Sequence, residues 1–457
     1  LWEQLVLLLR KPIYIPGLFL ALLRGKFAFK EYCRKYAGIP LPASLPYNQD
    51  VILMIRQARQ QGARIVLATA AHSDIANAVA ESTGLFDHVL GSGQGINLSG
   101  NAKAMAMHQD AGSIAFDYIG NDWVDLPVWQ AAGRGIIACP PAKLLKHAQM
   151  ILPQVITIGA EKKAAMFWHI LFKQMRVYQW IKNILILIPM LLAHKAGTDL
   201  LIKAFLAILA FSASASAVYV LNDMLDLESD RMHPRKRDRP MASGRFPVAG
   251  ALFLIPALLI IAGLISACFL PWIFSICLLL YLVFTTAYSL WLKKIAMLDV
   301  IILAGLYTFR LIAGGAATAT PLSPWLLGFS MFMFLSLAVV KRYAEVLTLG
   351  QRGEQSIRGR GYQMEDNMLL LALGMGAALV SVLVLALYMN SNEIITYYPH
   401  HQVLWLLCPV FLLWLMRVWL VAHRGGMHDD PILFMARDKL SYLVLSSIII
   451  LVLAASF

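Results

Sequence analysis

Charge is scarce in this sequence. Only 14% of its 457 residues are Asp, Glu, Lys or Arg, against 59% hydrophobic, which excludes a water-soluble globule over the whole length. Cysteine is scarce too. Cys33, Cys139, Cys268, Cys277 and Cys408 are scattered without a CxxC pair, which excludes a disulfide framework or a zinc site and fits a reducing interior or apolar burial. No HExxH, GxSxG, Walker or GxGxxG run occurs, and the eleven histidines show no metal-ligand spacing. His400-His401 reads as a solvated loop. There is no signal peptide, and the opening LWEQLVLLLRKP has no initiator Met, so the chain reads as a fragment lacking its true N-terminus.

What the chain has instead is long apolar runs. With a net charge of +13 and a mean hydropathy of +0.66, it reads as an integral membrane protein. Runs long enough to cross lie near 183–196, 200–221, 247–267, 271–291, 298–318, 323–340, 367–389, 402–422 and 440–457, the first starting nearer Gln179. Alternate connections hold sixteen Lys and Arg against one, Lys195, which places the basic loops on the cytoplasmic face and the C-terminus outside. No nucleic-acid partner is expected, and oligomeric state is left open.

The first third differs. Residues 1–50 carry Leu and Phe at helical spacing. Strand-like runs follow at Ala63–Thr69, Phe86–Leu90, Ser113–Ile119 and Gly135–Cys139, with helical stretches at Asp50–Gln60, Ser73–Thr83 and Lys103–Gln109 between them. The alternation predicts a soluble α/β domain with a parallel sheet over 1–160, an interfacial linker over 161–182 and a nine-helix transmembrane bundle over 183–457.

One stretch stands out between two apolar runs. Asn222–Pro240, NDMLDLESDRMHPRKRDRP, packs five acids and five bases into 19 residues. On a helix, Asn222, Asp223, Asp226 and Asp230 share one face. Carboxylates so placed repel unless a cation lies between them, and hard oxygen ligands suit magnesium. The bases just downstream, Lys236 and Arg239 among them, suit phosphate. A magnesium–diphosphate site at a membrane surface is the expectation, with Asp223, Asp226 and Asp230 as ligands.

Other polar residues gather where spans end. Arg176, Gln179, Lys182 and Asn183, with Tyr178 and Trp180, fit either an interfacial collar or a site. Tyr288, Lys293 and Lys294 precede Asp299, which lies just inside a span, with Arg310 about three turns deeper. Ionisable groups inside a span cost a few kcal/mol and usually face a partner or a wet cavity. Eleven residues of helix separate these two by roughly 16 Å, so different partners within one polar cavity are expected. A third loop carries Lys341, Arg342, Tyr343 and Glu345, then Arg352, Arg358, Arg360 and Tyr362. A fourth carries His423, Arg424, His428, Asp429, Asp430, Arg437 and Asp438.

The NDxxDxxxD pattern and nine spans with polar cytoplasmic loops resemble the UbiA superfamily of intramembrane prenyltransferases over about 170–457. The resemblance implies a helical bundle with a cavity open to lipid and an Asp-rich motif that holds diphosphate through magnesium. Most members carry a second DxxxD motif after the sixth span, where this chain has KRYAEVLTLG, with Glu345 the only acid. RxxQWxKN (Arg176 to Asn183), NDxxDxxxDxxHPxKRxRP, YSxxLK and KRYAE resemble the decaprenyl-phosphate phosphoribosyltransferase branch. That implies phosphoribosyl diphosphate as donor and a polyprenyl phosphate as acceptor. Lys182, Lys236, Arg239, Lys341 and Arg342 would meet the donor's phosphates, and Lys293 and Tyr288 the acceptor's. An ordinary prenyltransferase working on an isoprenoid diphosphate is the alternative. Residues 40–140 resemble the haloacid dehalogenase fold: Thr69 ends a strand, Lys103 follows, and Asn121, Asp122 and Asp125 stand where that family holds magnesium. The strand bearing that family's nucleophile is absent, and no phosphatase activity is expected.

Overall fold

The computed structural model describes residues 2–93, 96–152, 154–159, 164–194, 197–234, 236–352, 360–427, 431, 434 and 438–456. Lys195, Arg235, Arg358, His428, Asp429, Asp430 and Arg437, and the start of the linker, lie outside the described residues. The chain divides into two compact units. The first holds Leu1–Met175 and Val220–Phe253, and the second Arg176–Tyr219 and Leu254–Phe457. The acid-rich stretch belongs to the first unit.

The first unit opens with three helices, α1 (Trp2–Leu9), α2 (Ile15–Leu23) and α3 (Lys26–Ala37). α4 (Gln49–Gln60) starts where the Asn48 side chain accepts from the Asp50 and Val51 amides. β1 (Val66–His72) leads into α5 (Ser73–Thr83), which ends on Gly84 in the left-handed region at φ +61°. β2 (His88–Ser92) pairs parallel to β1. After α6 (Asn101–Ala111) come β3 (Asp117–Gly120), α7 (Leu126–Ala131), β4 (Arg134–Ala138), α8 (Ala142–Ile151) and β5 (Val155–Ile158). β3, β4 and β5 form a second parallel sheet. Parallel pairing needs crossovers of this length, and the helices supply them. Trp129, Val128, Ile137, Leu144 and Ala148 make the core.

Two differences from the sequence reading have local causes. Each of the first two strands starts two or three residues late, because Asp87 turns back on Ile65. Its carboxylate accepts the Ile65 amide at 2.8 Å, and its own amide bonds the Ile65 carbonyl at 2.8 Å. β5 was not expected, since VITI before a glycine is too short to stand out beside the apolar run that follows.

α9 (Ala164–Gln174) closes this part, and α11 (Thr198–Leu225), α12 (Leu227–Met232) and α13 (Val248–Phe269) carry the rest of the unit through Val220–Phe253. The second unit begins with a 3-10 segment, Val177–Leu187, and α10 (Ile188–Leu192). It continues through α14 (Trp272–Leu290), α15 (Leu298–Thr318), α16 (Pro324–Arg352), α17 (Asn367–Met389), α18 (Asn392–Tyr397), α19 (Leu407–His423) and α20 (Lys439–Ser456). Among the described residues eight helices are long and apolar enough to cross a membrane, or nine if α9 and Val177–Leu192 form one broken span. The first expected span is therefore not a regular helix. Arg176 breaks it at φ +52°, and 3-10 winding follows. At ~2 Å per residue in that winding, the 16 residues to Leu192 reach about 30 Å, enough for the hydrocarbon layer. Gly314 admits it, for a Cβ there would fall 2.2 Å from the Ile186 carbonyl oxygen. Outward faces stay apolar at Leu264, Leu279, Leu383 and Leu443, as lipid requires.

Candidate active site

In the first unit the acid-rich stretch straddles the end of α11. Asn222 and Asp223 sit in its last turn, Asp226 at the break, and Asp230 in α12. The ladder runs on across the break, with Asp226 N bonding Asn222 O and Asp230 N bonding Asp226 O at 2.8 Å each. That keeps Asp223 and Asp230 in register. Both are buried, at 3% and 2% exposure, and both reach the same atom: Arg239 Nη1 lies 3.0 Å from Asp223 Oδ1 and 2.5 Å from Asp230 Oδ2. Burial pushes the Asp230 carboxyl above its ordinary range, Arg239 pulls it back, and Asp223 pushes it up again.

Gln174, at the end of α9, is fully buried and donates through Nε2 to Asp223 Oδ2 at 3.2 Å, while its Oε1 meets no donor. Sequence reasoning missed it, because one glutamine in a polar run carries no signal. Lys236 lies in the exposed turn Lys236–Asp238. The stretch is braced from α1. Glu3 takes Arg231 with both oxygens, at 2.7 and 3.0 Å, and Arg10 bonds Glu228 at 2.9 Å and the Leu225 carbonyl.

Among the described residues no three His, Cys, Asp or Glu side chains gather as a metal site, so Asp223, Asp226 and Asp230 do not converge as the expected triad. A pair does converge. Magnesium is commonly held by one or two carboxylates plus substrate phosphates, so two carboxylates meeting at one cationic nitrogen, with an orphaned amide oxygen beside them, fit the ion.

The second unit holds two further clusters. In one, Asn183 donates to Ser212 Oγ at 2.8 Å and accepts from Arg310 Nε at 2.9 Å. Arg310 also bonds the Leu306 carbonyl and lies 5.1 to 5.6 Å from the ring centres of Tyr307, Tyr281 and Phe211. Lys182, buried, stands 5.5 Å over Tyr307. Trp180 bonds Ser216, and the Gln179 side-chain oxygen is buried without a partner.

In the other, Asp299 is fully buried and accepts from Arg342 Nε at 2.6 Å, from Arg360 at 3.2 Å and from the Tyr362 hydroxyl. Arg342, equally buried, reaches Glu345 at 2.5 Å, and the Tyr288 hydroxyl lies 3.4 Å from it. Burial and the Asp299 carboxylate push the Tyr362 phenol well up. Asp299 and Arg310 thus have different partners, as expected. Tyr343 is a core residue bonded to His423 Nδ1 at 2.8 Å. Lys341 and Lys293 are half-buried, Lys293 in the turn Leu292–Lys294.

Known proteins match this chain as follows. A nodulation protein, NoeC, of Azorhizobium caulinodans is 30% identical over 263 residues, 58% of this chain and 85% of that one. An uncharacterized protein of Sinorhizobium fredii, y4nM, is 34% identical over 433 residues, 94% of this chain and 82% of its own length. A decaprenyl-phosphate phosphoribosyltransferase of Mycobacterium tuberculosis is 38% identical over 191 residues, 41% of this chain and 63% of the mycobacterial one. A sequence profile described as the UbiA prenyltransferase family matches residues 183–437, more than half of the chain, and the chain belongs to that family.

Proposed function

We propose that this UbiA-family transferase moves a phosphoribosyl group from phosphoribosyl diphosphate to a polyprenyl phosphate in the membrane, with magnesium. The observation that carries the reading is the buried pair Asp223 and Asp230 closed on Arg239. It is supported by the identity with a decaprenyl-phosphate phosphoribosyltransferase. It is supported too by Glu345: where a second acidic motif would stand, that one acid is tied to Arg342.

Asp223 and Asp230 would hold the ion, with Gln174 fixing the Asp223 carboxylate. Bound magnesium would draw charge off the leaving diphosphate. Arg239 would release its carboxylates to the ion and pair with a phosphate oxygen, a bidentate contact that a guanidinium makes well. Lys236 lies on the same stretch and would add charge for the 5-phosphate. In the transfer, an ionised oxygen of the lipid phosphate bonds to the ribose anomeric carbon. The bond from that carbon to the diphosphate breaks, and its electron pair leaves with the diphosphate. No proton need move, so no strong general base is required.

The basic loops would face the cytoplasm. The α/β part would be a scaffold of haloacid dehalogenase type. Its Lys103 amine is bonded to Asp125 at 2.9 Å and to Tyr118 at 3.0 Å, which supports a structural role. Asp223→Ala in proteoliposomes should abolish magnesium-dependent transfer; retained activity would remove the metal assignment.

A further inference from the structure

Residues 10–26 read RKPIYIPGLFLALLRGK: four bases, no acid, and an apolar run between them. α2 buries Leu18 and Ala21, one turn apart, and turns the rest of its apolar surface outward. Phe19, Leu20, Leu22 and Leu23 are 64, 61, 56 and 85% exposed, and Ile13 just before them 81%. So many large apolar side chains on nine residues exceed what water leaves bare on a soluble surface.

The inner face is fixed. Leu18 packs with Leu5, Leu8, Cys33 and Ala37 of α1 and α3. Gly17 lets α3 approach, since a Cβ there would lie 2.1 Å from the Tyr32 hydroxyl, which donates to the Tyr14 carbonyl at 3.0 Å. The same cluster takes in Leu252, one turn into α13, a helix long and apolar enough to cross a membrane. The cluster to which α2 contributes Leu18 is therefore packed against the first turns of a helix that can span a membrane.

We propose that α2 is an interfacial helix, its outward face in the acyl chains of the leaflet and the exposed Arg24 at its end on anionic headgroups. The apolar face gives the depth, and a flanking sequence with bases and no acid matches an anionic surface. Continuity with α13 selects lipid rather than a second protein as the occupant. Because Glu3 of α1 and Arg10 just after it hold Arg231 and Glu228, the anchor also ties the acid-rich stretch to the membrane surface. The inference rests on the spanning helices and not on the identity of the donor.

The test uses the full chain in vesicles of phosphatidylcholine and phosphatidylglycerol carrying a lipid with a mid-chain diazirine. After irradiation, proteolysis and mass spectrometry, the peptide covering 12–24 should carry lipid adducts at a yield like that of 253–268 and about tenfold above that of polar α4. Labelled spans beside an unlabelled 12–24 would overturn the proposal. So would crosslinks from 12–24 to another protein chain in place of lipid.

Discussion

Asp223, Asp230 and Arg239 form a closed set of charges; on the proposed reading magnesium would take the guanidinium's place. Asp223→Asn or Asp230→Asn keeps the shape and removes that option, so initial-rate assays should show a loss of about a hundredfold or more, with membrane insertion intact. Gln174→Leu leaves both acids but frees Asp223 to turn. A fall in kcat/KM of about tenfold is expected, with a raised magnesium requirement seen on titration of the ion. The acids were legible because their spacing alone puts them on one helix face. Gln174, Ser212 and Tyr281 were not. None of them carries a pattern of its own, and the meaning of each comes from a partner 29 or more residues away.

At the scale of elements, α1 is the least foreseen part. Nothing in LWEQLVLLLR announces that Glu3 and Arg10 meet residues more than two hundred positions later. The Arg231 side chain is only 5% exposed, so Glu3→Arg leaves a buried like-charge pair and should cost roughly 2 kcal/mol. The double exchange Glu3→Arg with Arg231→Glu should recover most of the melting temperature in detergent and most of the transfer rate. Asp299 works differently. It neutralises Arg342, and both are fully buried, so Asp299→Ala should cost about 3 kcal/mol, seen as a lower unfolding temperature, while Asp299→Leu with Arg342→Leu recovers part of it. Element type was readable where an apolar run is long, as at 298–318 and 367–389, where the structure agrees with the reading at both ends. It failed at 183–196, because hydropathy measures transfer to lipid and not winding, and a 3-10 segment there is held by side-chain bonds of Asn183 and Trp180.

For the whole molecule, hydropathy pointed to a multi-pass helical protein, and among the described residues eight helices, or nine if the broken pair is one span, are long and apolar enough to cross. The division into units was not readable, because residues 220–253 lie between two spans and yet pack with the first 175 residues. Within that unit Glu3 and Arg10 bond the acid-rich stretch, and Pro46 packs behind it, 3.1 Å from where a Cβ on Gly244 would lie. Chelation should separate stability from chemistry: treatment with EDTA should abolish transfer, and added magnesium should restore it, with little change in helix content by circular dichroism. The donor decides the account. Purified protein in proteoliposomes, given magnesium, labelled phosphoribosyl diphosphate and polyprenyl phosphate, should yield a labelled lipid and release diphosphate, and it should leave a labelled isoprenoid diphosphate untouched. Transfer of the isoprenoid chain to an acceptor, with no label reaching the lipid phosphate from phosphoribosyl diphosphate, would contradict it.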